Sequence, residues 1–255
     1  MSKKIIILAQ ESLSTNCFYN SISEEYTISS VVLEQSVSKW IIIRKRIKKL
    51  GLFKTIGQLF FIVCIVPLIK KRAKNRITAI FNTYSFNSST IPSNIVLHVN
   101  SVNDSNVQEY LREEQADIIL IHGTRIISKA TLEATSAVFI NIHAGITPYY
   151  RGVHGGYWAL INNEIEKCGV TVHQVNKGID TGNIISQTTI SITPKDNFYT
   201  YPFIQLGEGL ILLKKALSSN LDTVSTATPI HEKGSLWYHP TAFSYLQNYL
   251  IRKVK

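Results

Sequence analysis

Short β-rich apolar runs alternate with helical stretches along this chain, and that order restricts the fold more than any other feature. Residues 4–8 and 116–121 are largely apolar at consecutive positions, as strands covered on both faces are. Residues 26–33, 95–99, 138–140, 169–175 and 183–192 have the same β character. Helical candidates fall between or after them, at 17–23, 103–114, a short one from Ser128, 153–162 and 199–217. Strand, helix, strand in this repeating order predicts an α/β fold with a doubly wound, mostly parallel, Rossmann-like sheet. Ligands of such sheets bind at the carboxyl ends of the strands, so the residues just after each run are the first place to look for function.

Residues 38–74 interrupt the alternation. Trp40, Ile43, Ile47, Leu50, Phe53, Ile56, Phe60 and Val63 recur at three- and four-residue intervals, which predicts one or two helices with Gly51 as a break or kink. The organisation expected is therefore a catalytic domain over residues 1–195 with a helical insertion near 38–75. A C-terminal helical and irregular extension over 196–255 contains the aromatic run Trp237-Tyr238-His239-Pro240. The densest apolar part of the insertion, 59–69, is short for a bilayer crossing and contains Pro67. Basic runs flank it at Arg44-Lys45-Arg46, Lys48-Lys49 and Lys70-Lys71-Arg72. The stretch 44–76 is thus either a core or partner-facing helix or a basic helix lying on a membrane surface, and a homodimer is one of the states left open.

The formal charge of +10 favours acidic ligands such as nucleic acid, anionic lipid or nucleotide phosphates, without choosing among them. Three widely spaced cysteines, Cys17, Cys64 and Cys168, suggest neither a disulfide framework nor a zinc site, and no metal is expected. Lys3-Lys4 precede an apolar run, residues 5–9, too brief for a signal-peptide core, so a first strand and a cytoplasmic protein are expected.

The polar residues that follow the later strands carry the chemistry. Asn141 and His143 occupy alternate positions after Val138-Phe139-Ile140, so an extended backbone aims both side chains to one face. Asp180 lies in Gly178-Ile179-Asp180-Thr181-Gly182, a turn-rich break between two β-rich runs. An amide, an imidazole and a carboxylate suit acyl transfer to an amine. The amide donates to a developing oxyanion, the imidazole carries a proton, and the carboxylate holds the imidazole. An isolated Asn-x-His is more often a cap or a satisfied polar pair, and an isolated Asp-x-Gly a turn. Here, however, the order and context match from about Ala116 to Ile192, and the segment resembles the 10-formyltetrahydrofolate-dependent formyltransferases: Asn-x-His, a Pro, an Arg-Gly pair and a later Asp-x-Gly.

The resemblance implies Asn141, His143 and Asp180 as catalytic residues and N10-formyltetrahydrofolate as formyl donor. The loop after residues 116–121 would hold the folate, making Arg125 and Ile127 pocket candidates, with Ile126 and Ile127 as simple core residues the competing reading. Gly178 and Ile179, which present Asp180, are assigned to the same pocket. Ser14, Thr15 and Asn16 either hydrogen-bond the acceptor or cap a helix. Tyr149, Arg151 and His154 are the other acceptor candidates, and His173 reads as a structural residue of its strand.

The segment from His143 to Trp158 departs from the His-Pro-Ser form of the purine and tRNA enzymes and looks more like the sugar N-formyltransferase branch, which formylates an amino sugar on a nucleotide for surface polysaccharide or lipopolysaccharide synthesis. The loop over residues 9–16 lacks the glycines that phosphoribosyl-substrate relatives use for phosphate. Residues 195–255 do not alternate like the C-terminal barrel of methionyl-tRNA formyltransferases, and a folate-hydrolysing relative would carry an N-terminal regulatory domain before Lys3. A nucleotide-linked amino sugar is therefore the acceptor expected, methionyl-tRNA or another amine the alternative, and a folate-binding scaffold the non-enzymatic one. A nucleic-acid partner rests on charge alone.

Overall fold

A strand of five successive fully buried residues, Ile5 to Ala9, sits at the centre of the molecule. The structure is a computed structural model and describes residues 3–219, 227–228 and 234–255. In chain order its first elements are β1 (Ile5–Gln10), α1 (Leu13–Ser23), β2 (Ile28–Glu34), α2 (Lys39–Leu50), α3 (Leu52–Phe60), a π turn (Phe61–Ile65), α4 (Val66–Arg72) and α5 (Lys74–Thr83). There follow β3 (Val96–Val99), α6 (Ser105–Glu114), β4 (Ile118–His122), α7 (Lys129–Leu132), β5 (Val138–His143), β6 (Tyr150–Gly152) and α8 (Gly155–Ile161). The last are β7 (Gly169–Gln174), β8 (Ile184–Thr189), α9 (Tyr201–Ser218), β9 (Ser235–Trp237) and α10 (Ala242–Arg252).

Seven strands form one sheet in the order β3-β2-β1-β4-β5-β7-β8. Pairing is parallel from β3 to β5 and antiparallel from β5 through β8. This is the α/β, mostly parallel, doubly wound architecture, and its strand order reverses between β1 and β4. Consecutive burial in β1 follows from helices on both faces. Ile5, Ile7 and Ala9 join a core with α1 and α9, whereas Ile6 and Leu8 join a second core with Val107 and Leu111 of α6. Each such Ile, Leu or Val side chain contributes roughly 1.5–3 kcal/mol by leaving water.

Residues after 195 are built into this core. Leu206, Leu210, Leu213 and Leu217 of α9 are buried, and Gln205 Nε2 donates to the Gly169 carbonyl at 2.6 Å, fixing α9 against β7. Helix α9 thus packs across the boundary expected near residue 195.

The insertion forms the helices that its periodicity predicts, broken at Gly51, whose φ of 84° suits a residue without Cβ. Beyond it the helix runs through the π turn to Arg72, 21 residues in all and long and apolar enough to span a bilayer. It exceeds the apolar segment 59–69 because the ladder widens into the π turn just before Pro67, which has no N–H to offer it. Arg76 ties the insertion to the body through a bidentate pair, Nε and Nη2 lying 2.7 and 3.0 Å from the carboxylate of buried Asp196.

Candidate active site

The antiparallel pairing of β5 with β7 sets Asn141 opposite His173 and His143 opposite Thr171. Because alternate residues share a face, four polar side chains stand together at the end of a sheet whose neighbouring positions are apolar.

His143 is 5% exposed. Its Nε2 lies 2.7 Å from the Tyr150 carbonyl, and since a carbonyl only accepts, Nε2 carries a proton. Nδ1 faces Asp180 Oδ1 at 3.4 Å, the arrangement that holds an imidazolium once Nδ1 is protonated. Asp180 reaches this position from a left-handed backbone, φ 49°, and its Oδ2 accepts the Gly152 N–H at 2.8 Å. Gly152 itself has φ 93°, and a Cβ there would run into the Trp237 carbonyl. The turn that meets the carboxylate therefore needs glycine.

His173 fixes the amide. Its Nδ1–H donates to the Gln174 carbonyl at 2.6 Å, leaving Nε2 to accept from Asn141 Nδ2 at 3.2 Å. Burial, reinforced by the neighbouring His143, pushes His173 down to about 4, so the ring is neutral at pH 7 and serves as that acceptor. One N–H of the Asn141 amide is thereby oriented, and the other makes no hydrogen bond to a described residue while the side chain lines the cavity described below. Thr171 fastens the following loop: Oγ1 donates to the Gly145 carbonyl at 2.7 Å and accepts the Thr147 N–H at 3.1 Å.

The C-terminal segment covers this loop. β9 pairs with β6 in parallel, and Trp237 stacks between Tyr150 at 5.7 Å and Trp158 at 4.8 Å while its Nε1 donates to the Tyr149 carbonyl at 3.2 Å. A cavity of about 510 Å³ opens beside the cluster, with Asn141, His143, His173 and Asp180 at its polar end and Ile121, Ile127 and Val175 among its apolar walls. Such a cavity, apolar with a few convergent polar groups, has the size and lining of a small-molecule site.

A sequence profile described as formyl transferase matches residues 63–202, more than half of the chain. The chain belongs to the formyl transferase family. The match takes in Asn141, His143 and Asp180 and reaches back into the insertion helix.

Among relatives in this family, methionyl-tRNA formyltransferase of Agathobacter rectalis is 39% identical over 89 residues, 34% of this chain and 28% of that protein. The enzyme of the same name from Chlorobium chlorochromatii is 31% identical over 142 residues, 55% of this chain and 45% of that protein. The chain thus spans less than half the length of these two relatives. Similar solved structures include a phosphoribosylglycinamide formyltransferase from Streptococcus pneumoniae (TM-score 0.55, 19% identity, 86% of this chain and 99% of that one). A sugar N-formyltransferase from a Shewanella species gives TM-score 0.55 at 16% identity over 92% of this chain and 76% of that one. A sugar 3-N-formyltransferase solved with dTDP and 5-N-formyltetrahydrofolate gives 0.53 at 20% identity over 93% of this chain and 70% of that one. At these identities the likeness is one of fold.

Around this cavity the structure gathers Asn141, His143, Asp180, Arg125, Ile127, Gly178 and Ile179. Arg125 lines it, but its guanidinium is committed elsewhere: Nε lies 2.6 Å from Glu34 Oε2, and Nη2 donates to the carbonyls of Gln35 and Asn100 at 3.0 and 2.9 Å. The loop after β4 therefore offers the cavity mainly backbone and aliphatic surface.

The six acceptor candidates lie outside the cavity lining. Ser14, Thr15 and Asn16 form the first turn of α1, where Ser12 is the capping residue; Thr15 Oγ1 donates to the Gln10 carbonyl at 2.5 Å, and Ser14 meets His122 Nε2 at 3.1 Å. Tyr149 lies under the Lys167 ammonium at 4.3 Å. Arg151 donates to the Gly234 and Ile179 carbonyls at 2.6 and 3.5 Å, tying three loops together. His154 is packed on Phe198 and His239, centroids 3.9 and 4.9 Å away, and burial lowers it to about 3, the ionisation of an interior ring. His173, Lys49, Trp237 and Tyr238 line the cavity instead. A β-rich run with one histidine gives no sign that the strand returns antiparallel and delivers that histidine to Asn141.

Proposed function

We propose that this chain transfers a formyl group from N10-formyltetrahydrofolate to the amine of an amino sugar carried on a nucleotide, in the cytoplasm, for surface polysaccharide synthesis. The observation that carries the formyl-transfer reading is the convergence of the Asn141 amide, the His143 imidazole and the Asp180 carboxylate on the rim of one cavity. Asn141 offers its free N–H to the oxygen that becomes negative as the amine lone pair forms a bond to the formyl carbon. Nδ1 of His143, beside Asp180, receives the proton the amine loses, and its imidazolium adds a positive charge near the oxyanion. The same proton then passes to the folate nitrogen as its bond to the formyl carbon breaks, so no base is consumed.

The donor fits the cavity by shape and by chemistry, since Ile121, Ile127 and Val175 give aliphatic surface and the loop after β4 supplies backbone groups. The basic surface suits a polyglutamate tail and a nucleotide diphosphate alike. Support for the amino sugar comes from the ring of Tyr238 in the cavity wall and from the sugar N-formyltransferases among the structural neighbours. The name borne by the curated relatives favours a second reading, formylation of methionyl-tRNA.

Incubating the protein with N10-formyltetrahydrofolate and a panel of nucleotide-linked amino sugars tests both, each product read by the mass of one added formyl group and aminoacylated initiator tRNA run in parallel. A formylated sugar supports the proposal. Formylation of tRNA alone replaces the acceptor, and no transfer to any amine overturns the reading.

A further inference from the structure

The insertion is turned inside out. Helix α2 contains Trp40, Ile41, Ile42, Ile43 and Ile47 and buries no residue. In the 21-residue helix that follows, the face against the protein holds the polar pair Thr55 and Gln58 together with Phe61 and Ile69. The face turned outward carries Phe53, Ile56, Phe60, Val63 and Leu68, spaced along one side of the helix and 54% to 89% exposed. Helix α10 packs alongside, Thr241 against Gly57 and Tyr245 against Phe61, and adds Phe243, Leu246 and Leu250 to the exposed apolar surface. Scattered exposed apolar residues are ordinary, but continuous apolar stripes on adjacent helices mark a surface that something covers.

Charge selects the occupant. No Asp or Glu occurs between Glu34 and Asp104, while residues 39–76 hold Arg44, Lys45, Arg46, Lys48 and Lys49 before the apolar stripe and Lys70, Lys71 and Arg72 after it. An apolar stripe bracketed by cations matches a leaflet of anionic lipid, which takes rings and aliphatic chains below its headgroups and pairs phosphates with ammonium and guanidinium groups. A second copy of this chain would bring the same positive charge to the contact. Crossing the bilayer is disfavoured by the inner face, since Gln58 Nε2 donates to the His239 carbonyl at 2.6 Å and Phe61 packs on Phe198 and Tyr245. A helix committed on that side to the catalytic body lies along the interface.

We propose that α2, the Leu52–Arg72 helix and α10 form a docking face for an anionic membrane surface, with the catalytic cavity beside it, because Lys49 at the end of α2 lines that cavity. The inference does not depend on which amine accepts the formyl group. The test is co-sedimentation of the intact protein with phosphatidylcholine vesicles with and without phosphatidylglycerol, together with emission from Trp40, which is 74% exposed. Binding to the anionic vesicles, a blue shift lost in Trp40→Phe, and release by high salt are expected.

Phe53→Ser/Phe60→Ser and, separately, Lys70→Glu/Lys71→Glu should each weaken vesicle binding by about tenfold or more. Their melting temperature and formyl transfer in solution should stay unchanged. No binding to anionic vesicles at low salt, retention through salt and alkaline washes as for a spanning helix, or a dimer dispersed by the same Phe substitutions would each overturn the docking face. None of these would touch the formyl-transfer assignment, which is read in solution without lipid.

Discussion

The strand ends and the helical insertion place polarity in opposite ways. At the ends of β5 and β7, polar side chains are drawn into the interior and each is given a partner: His143 meets Tyr150 and Asp180, and Asn141 meets His173. In the insertion, Thr55 and Gln58 face the protein while Phe53 and Phe60 face outward. Sequestering hydrogen-bonding groups costs free energy unless they are satisfied, so the first region is built for a task that needs oriented donors in a dry place. Exposing aromatic rings costs free energy unless they are covered, so the second is built for contact. The two regions meet at the cavity, whose lining includes Lys49 of α2 together with Asn141, His143 and Asp180.

The sharpest way to break this contrast is to remove the chemistry and keep the packing. His143→Ala and Asp180→Asn should each lower turnover by about 10²–10⁴. Asp180→Asn keeps an oxygen for the Gly152 N–H, so its melting temperature should stay near that of the wild type. Formylation of the best acceptor, measured beside thermal unfolding, decides. Wild-type turnover in either folded variant would show that these residues are merely a well-satisfied interior.

Acid should separate the regions next. Burial holds His122, His173 and His239 down to about 4 and His154 to about 3, with His143, Arg46 and His239 adding to the effect at His173, His239 and His154 respectively. The unfolded chain takes up protons near the ordinary value of about 6.5. Below that value the unfolded state therefore binds more protons than the folded one. The stability contributed by these rings is complete above about 6.5 and is lost as the pH falls toward their folded values, on the order of 1 kcal/mol or more for each. Denaturant unfolding at pH 7.5 and pH 5 measures the loss, and His122→Gln, which removes one such group, should flatten the slope. A stability independent of pH across this range would mean that the rings are wet.

A smaller effect is expected at His173, which acts through Asn141. His173→Ala leaves the amide free to rotate and should lower kcat by about tenfold or more with little change in KM. His173→Gln, which returns an oxygen acceptor to the same place, should recover part of it. Equal loss in both variants, or a loss confined to KM, would make His173 a packing residue only.

That residue also marks how far the sequence could be read. Alternating strands and helices sufficed for the doubly wound sheet, because consecutive burial in residues 5–9 leaves little else for those residues to do. Asn141, His143 and Asp180 were brought forward by the family resemblance over residues 116–192, with spacing along an extended strand and a turn-rich break as its local grounds, and the structure sets all three around one cavity. His173 was not legible, since its role depends on a strand 32 residues downstream pairing antiparallel, and register between distant strands leaves no local trace. Tyr149, Arg151 and His154 show the converse. Polar and aromatic residues beside such a motif look like ligand contacts; here Arg151 is tied to carbonyls, His154 is packed on Phe198, and all three lie outside the cavity lining. The covering of that loop by Trp237 joins residues more than eighty positions apart, and composition alone does not reveal it.

The smallest expected effect is the most informative about the insertion. Phe53 is 89% exposed, whereas Phe61, on the opposite face of the same helix, is fully buried between Phe198 and Tyr245. If the outward face were part of the core, truncating its rings would cost the 3–5 kcal/mol typical of a buried Phe. With nothing among the described residues covering Phe53, Phe53→Ser removes few contacts within the protein, and the change in unfolding free energy should stay within about 0.5 kcal/mol. Chemical denaturation without lipid measures it. A loss of several kcal/mol would mean that another part of the protein covers this face in solution. A change near zero leaves the exposed ring without a role in folding, and its counterpart has to be sought outside the molecule.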